Sequence, residues 1–159
     1  MGLNYEAFCQ LVDLSGRFRP RARSLMLGRQ NLRLGRRNAF GGIRHAAGYR
    51  RALKAAGLTV TLTDYMQEDG HTERAFEMLG FGAVESLDIS PFQGADILHD
   101  MNEPIPAELC GQFDFIFDGG TLEHVFDVPM AMANVFAMLR VGWPFCRGQS
   151  SQRLARPRI

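Results

Sequence analysis

Cysteine is scarce in this chain: Cys9, Cys110 and Cys146 are the only three, an odd number, widely spaced and without a CxxC pair. That excludes a disulfide framework and a cysteine-built zinc site, and makes a reducing compartment, the cytoplasm, the expected location. Long apolar runs are lacking too. The most apolar segment, 128–139, falls well short of the roughly 20 residues a membrane-spanning helix needs, and Arg140 follows it at once. The N-terminal stretch NYEAFCQLVDLSG carries acids and no basic, uninterrupted apolar leader, so no signal peptide is expected. His45, His71 and His99 have no partners at metal-ligand spacing, and no metal is expected. No GxGxxG follows a strand-like segment, which disfavours a dinucleotide oxidoreductase. Internal repeats are absent.

What is present is an ordinary apolar share, 46% of 159 residues, enough for one domain around one core. A net charge of +1 conceals an uneven distribution. Arginines crowd 17–51, acids fill 64–127, and Arg147, Arg153, Arg156 and Arg158 end the chain. A basic run with interleaved aromatics could bind nucleic acid, but only Phe18, Phe40 and Tyr49 accompany these arginines and no nucleic-acid motif is found. A solvated basic surface is the simpler reading.

Hydrophobic spacing predicts alternating helices and strands. Tyr5, Phe8, Leu11 and Val12 recur at helical spacing, and Ser24 to Leu27 make a short buried strand punctuated by Gly28. Segment 31–42 has no period and is expected to be a mobile loop near a pocket mouth. Ile43 to Ala56 looks helical, Leu58, Val60 and Leu62 alternate with threonines as in a half-exposed strand, and His71 to Leu79 form a helix. Strands are expected at 83–88, 95–98 and 113–117, the last almost wholly apolar, as in a sheet covered on both faces. The methionines at 130, 132 and 138 and Phe136 are expected in the core of a helix packed on that sheet. Strands alternating with helices imply a parallel α/β sheet, whose ligands sit outside the strands' carboxyl ends.

The run FDFIFDGGTLEHVFDVPMAMANVFAMLRVG resembles the fourth strand, loop and helix of class I S-adenosylmethionine-dependent methyltransferases, with Leu122-Glu123-His124-Val125 as its best marker. VESLDISPFQGADILHDMN is similar to the second and third strands of that family. The resemblance spans about 23–142. It implies a Rossmann-like α/β fold of mostly parallel sheet with flanking helices, S-adenosylmethionine as cofactor, and methyl transfer to a small-molecule or saccharide-type acceptor. It also implies site roles. Gly28 matches the first glycine of the cofactor loop, Asp88 the acid that binds ribose hydroxyls, Asp100 and Asn102 the adenine contacts, and Asp118, Gly119 and Gly120 the junction with the acceptor. His124, beside Glu123, is the candidate general base. Two residues depart from the pattern: Met26 stands at the usual acidic position and Gln30 at the usual second glycine.

Each candidate has an ordinary alternative: Asp88 can cap the Ser90-Pro91 turn, Asp100 and Asn102 can build a turn before Pro104, and Gly119-Gly120 can be a plain strand-to-helix connection. The residues from 143 to the end, WPFCRGQSSQRLARPRI, show no strand pattern. The expectation is therefore a partial Rossmann-like domain over 1–142 that lacks its C-terminal strands, with 143–159 an arginine-rich tail, disordered or frame-shifted. The fourth strand would then present an open edge. An S-adenosylmethionine-dependent methyltransferase is the leading expectation; a catalytically inactive remnant or binding module is the alternative that Met26 and Gln30 favour, and an arginine-rich nucleic-acid-binding protein is the weakest. No membrane partner is expected.

Overall fold

The computed structural model describes residues 2–17, 22–32 and 45–148. In chain order the elements are β1 (Gly2–Leu3), α1 (Tyr5–Ser15), β2 (Arg23–Leu27), β3 (Asn31–Leu32), α2 (Ala46–Ala55), α3 (Glu73–Met78), β4 (Ala83–Asp88), β5 (Ile97–Leu98), β6 (Phe115–Asp118), α4 (Val128–Met138) and β7 (Phe145–Arg147). Five strands form one sheet in the order β5-β4-β2-β6-β7, every pairing parallel, and β1 pairs with β3 separately. This is a Rossmann-like α/β arrangement, with β2 at the centre, where the chain's progress across the sheet reverses.

Period-two alternation explains the layers. In β2, Leu25 and Leu27 point to one face and Met26 to the other; in β6, Ile116 opposes Phe115 and Phe117 in the same way. One face is covered by α1, α2 and α3 through Phe8, Leu11, Tyr49, Leu53 and Phe76, the other by α4 through Ala131, Val135 and Met138. Aromatic rings run between layers: Phe76 contacts Phe81 and Phe117 at centroid distances of 5.5 and 5.3 Å, and Phe81 contacts Phe115 at 4.5 Å. Each fully buried side chain of this size contributes roughly 1.5–3 kcal/mol through area removed from water.

Local chemistry fixes the helix starts. Asn4 Oδ1 accepts the Ala7 amide at 2.9 Å to begin α1, and Asp127 Oδ1 accepts the Met130 amide at 2.9 Å to begin α4, whose first turn also holds Pro129. Packed against α2 through buried Phe8, Leu11 and Val12, α1 is a cover on the sheet.

Four expectations are corrected. Leu58 to Leu62 do not form a strand: Tyr65 Oη donates to the Thr59 carbonyl at 2.9 Å and a 3-10 turn begins at Leu62, while β4 is already flanked by β2 and β5. Asn31 and Leu32, expected in a mobile loop, form β3; residues 33–42 lie outside the described residues. Phe136 is not core but 62% exposed, since α4 turns it away from the sheet. Phe145–Arg147, expected to carry no strand, form β7 and cover the edge of β6, with Ile116 opposite Phe145 and Asp118 opposite Arg147. Residues 149–159 lie outside the described residues.

The unevenly spread charges meet across the fold. Arg23 pairs with Glu85 at 2.5 Å, Arg29 with Glu73 at 2.6 Å and Asp69 at 2.8 Å, and Arg140 with Asp114 at 2.6 Å. Arg23 and Arg29, from the basic stretch, are thus paired with acids of the acidic one.

Candidate functional site

Leu27 lies opposite Leu87 on one side and Asp118 on the other, so β2, β4 and β6 end level and their following residues share one edge of the sheet. Gly28 turns there with φ of +69°, its amide donating to the Leu87 carbonyl at 2.7 Å. A β-carbon on Gly28 would stand 2.6 Å from Thr121 Oγ1 and 3.8 Å from Asp88 Oδ2. Left-handed backbone and close approach together require glycine. Thr121 Oγ1 in turn donates to the Leu27 carbonyl at 2.7 Å, tying the loop after β6 to the end of β2.

Next to this junction lies a pocket of about 120 Å³ lined by Leu87, Asp88, Ile89, His99, Asp100, Met101, Asn102, Thr121, His124 and Val125. It brings together Asp88, Asp100, Asn102 and His124 from the expected set, with Gly28 at its border. Asp88 uses Oδ1 to accept the Ser90 amide at 3.1 Å, so the turn-capping role is real, while Oδ2 makes no hydrogen bond among the described residues. Asp100 Oδ1 accepts both the amide and the side-chain amide of Asn102, at 2.9 and 2.7 Å, and these bonds hold its carboxyl below its ordinary value. Asn102 Oδ1 accepts the Asp127 amide at 2.8 Å. The turn reading of Asp100 and Asn102 is therefore also realised, at the pocket wall. His124 stands at the rim, its side chain 68% exposed and its Nε2 3.6 Å from Glu123 Oε1.

Asp118, Gly119 and Gly120 are placed differently. The Asp118 side chain is fully buried, and its Oδ1 gathers the amides of Gly120, Thr121 and Leu122 at 3.0, 2.7 and 3.3 Å. It shapes the loop from behind and does not line the pocket. Gly119 faces Gln30. The Gln30 side chain is fully buried, its Nε2 donating to the Leu27 and Gly28 carbonyls at 3.1 and 3.0 Å, and its Oε1 has no hydrogen-bond partner. Met26, at the other departure, packs in the core beneath α1 and α3 and supplies no charge.

Three contributors were not read from sequence. Asn134, buried in the otherwise apolar α4, donates to the Met101 and Glu103 carbonyls at 3.2 and 2.8 Å and accepts the Ile105 amide at 3.2 Å, pinning the wall that carries Asn102. A lone amide on the core face of an apolar helix is a legible signal, because buried polar groups need partners. Thr121 and Arg147 left no such signal: both act through neighbours that only the parallel pairing brings close. Among the described residues no cluster of His, Cys, Asp and Glu could hold a metal ion, and no helix is long and apolar enough to cross a membrane. The Cys146 thiol is pushed up to about 11 by burial and then by the Asp118 charge, so it is no nucleophile at neutral pH.

No protein-family model matches the sequence, and no curated protein matches it. Among solved structures the chain is similar to the trans-methyltransferase CalH in complex with SAH, with a TM-score of 0.45 and 18% identity over 87% of this chain. The chain spans about a third of that protein, 35% of its length. Residue roles do not transfer at this distance.

Proposed function

We propose that the protein binds S-adenosylmethionine at the carboxyl edge of its sheet and supports methyl transfer to a small-molecule acceptor, for which a saccharide-type compound is one candidate class. The observation that carries this reading is the convergence on one pocket of the Asp100–Asn102 turn and Asp88, whose Oδ2 makes no hydrogen bond among the described residues, beside the Gly28 turn at the chain-reversal point of a parallel sheet. The residues fit the nucleoside half of such a cofactor: a carboxylate with a free oxygen suits vicinal hydroxyls, and the apolar Leu87, Ile89 and Val125 suit a flat base. When bound, the cofactor would supply an electrophilic methyl group. The protein's part is to hold it, orient the acceptor, and remove a proton through His124 at the open rim.

A second reading, a binding module without catalysis, is favoured by one observation: Gln30 fills the space beside Gly119, where the other half of the cofactor would lie. The pocket is correspondingly small beside the roughly 300 Å³ or more usual for drug-sized ligands. Thermal unfolding of the 159-residue protein with increasing S-adenosylhomocysteine separates the two. A saturable rise in Tm, equivalent to about 2.7 kcal/mol at a hundred times Kd, supports the cofactor site; a cooperative melt that no concentration shifts rejects it.

A further inference from the structure

The strand that sequence periodicity misses delivers one charged group to the carboxyl end of β6. Arg147, last residue of β7, lies opposite Asp118, last residue of β6, and its Nε stands 3.2 Å from Asp118 Oδ2. Asp118 is fully buried, and both Oδ2 and Arg147 Nε lack a hydrogen-bond partner, so the two are joined by charge alone. A buried carboxylate without a counter-charge is costly enough to drive rearrangement. The other oxygen, Oδ1, is the acceptor on which the amides of Gly120, Thr121 and Leu122 converge. Thr121 then lines the pocket, bonds the Leu27 carbonyl and abuts Gly28.

We propose that Arg147 is a positioning residue for the pocket, acting through Asp118: by neutralising the buried carboxylate it keeps Oδ1 under the Gly120–Leu122 amides and so sets Thr121 against Gly28. The C-terminal strand is in this way part of the site's support. The link to ligand affinity rests on the cofactor reading; the link to loop order does not.

Amide hydrogen exchange at Thr121, followed by NMR on the full chain, tests loop order with no ligand present. In Arg147→Met the Thr121 amide is expected to exchange about tenfold faster relative to the amides of β2, one decade corresponding to about 1.4 kcal/mol of local protection. Adding Asp118→Asn to that variant removes the stranded charge while keeping an acceptor at Oδ1, and is expected to restore most of the protection. A structural role spread evenly over β7 gives a different pattern: exchange rising equally in β2 and at Thr121, with Asp118→Asn adding to the damage. That pattern, or unchanged exchange, overturns the proposal. Should Arg147→Met fail to fold, Arg147→Gln, which also removes the charge, and the double variant carry the same comparison, and a double variant that also fails to fold counts against it. If the wild-type protein binds S-adenosylhomocysteine, the same series is expected to weaken binding in Arg147→Met and recover it in the double variant; absence of binding in the wild type rejects the cofactor reading while leaving the exchange result to decide this one.

Discussion

The Gln30 carboxamide lies against the backbone of Gly119, so closely that a β-carbon on Gly119 would overlap its Cδ and Oε1. It occupies the crevice between the ends of β2 and β6, where an open α/β sheet takes its ligand. Two hydrogen bonds from Nε2 hold it there.

Gln30→Gly is therefore expected to act in opposite directions on stability and binding. Losing two hydrogen bonds at roughly 1 kcal/mol each lowers the unliganded Tm. The vacated space enlarges the S-adenosylhomocysteine-induced rise. A smaller rise than in the wild-type protein would mean that Gln30 is part of the binding surface and not an obstruction.

Gly28→Ala tests the junction from the other side. With φ of +69°, an alanine pays a left-handed penalty of about 1–2 kcal/mol, and its β-carbon meets Thr121 Oγ1 at 2.6 Å. Urea unfolding is expected to show a loss of about 2 kcal/mol or more. Thr121→Ala in the same chain removes the contacting oxygen, so the double variant loses less than the sum of the singles. Strict additivity would mean that only the backbone penalty operates.

At the opposite edge of the sheet, Asp114 is 3% exposed and accepts the Ala22 and Arg23 amides at 2.8 and 3.2 Å and the Arg140 guanidinium at 2.6 Å. Burial opposes its charge, but the two amides and Arg140 outweigh it and hold the carboxyl below its ordinary value of 3.8. A depressed folded-state pKa contributes stability that is complete above the unfolded value and lost as pH falls through the folded one. Asp114→Ala is expected to cost roughly 3 kcal/mol at pH 7, since bonds to a charged acceptor are the strong ones, and the gap to the wild-type protein should narrow below about pH 4. A gap independent of pH from 7 to 3 would show that packing, not charge, carries the effect.

The residues most visible in the sequence are those whose signal is their own. The apolar runs of β2 and β6 and the glycine and acid that end them were legible because a strand buried on both faces needs no partner to declare itself. Leu58 to Leu62 misled for the converse reason: alternation was present, but both sides of β4, the strand that follows in the chain, are taken by β2 and β5. Phe145–Arg147 were invisible because three residues are too few for a period and gain their structure from β6. In the site, Asp88 and Gly28 could be read as positions, whereas the division of Asp88's two oxygens between turn and pocket, and the inward turn of Asp118, depend on loop paths that no spacing rule specifies.

That division makes Asp88→Asn a sharper probe than removal of the side chain. An asparagine keeps a carbonyl oxygen for the Ser90 amide, now met at 3.1 Å, so the turn and the Tm of the free protein should change little. What it loses is the second acceptor and the charge facing the pocket, and hydrogen bonds to a charged group are worth roughly 1.5–3 kcal/mol. Isothermal titration with S-adenosylhomocysteine should then show affinity about 10- to 100-fold weaker, at one decade per 1.4 kcal/mol. His124→Ala is the matched comparison: its exposed ring lines the rim of the same pocket, so its affinity should fall less than that of Asp88→Asn while any turnover falls by roughly 10²–10⁴. Equal affinity in Asp88→Asn would leave Asp88 a turn cap only, and with it the nucleoside end of the proposed site would lose the carboxylate proposed to hold it.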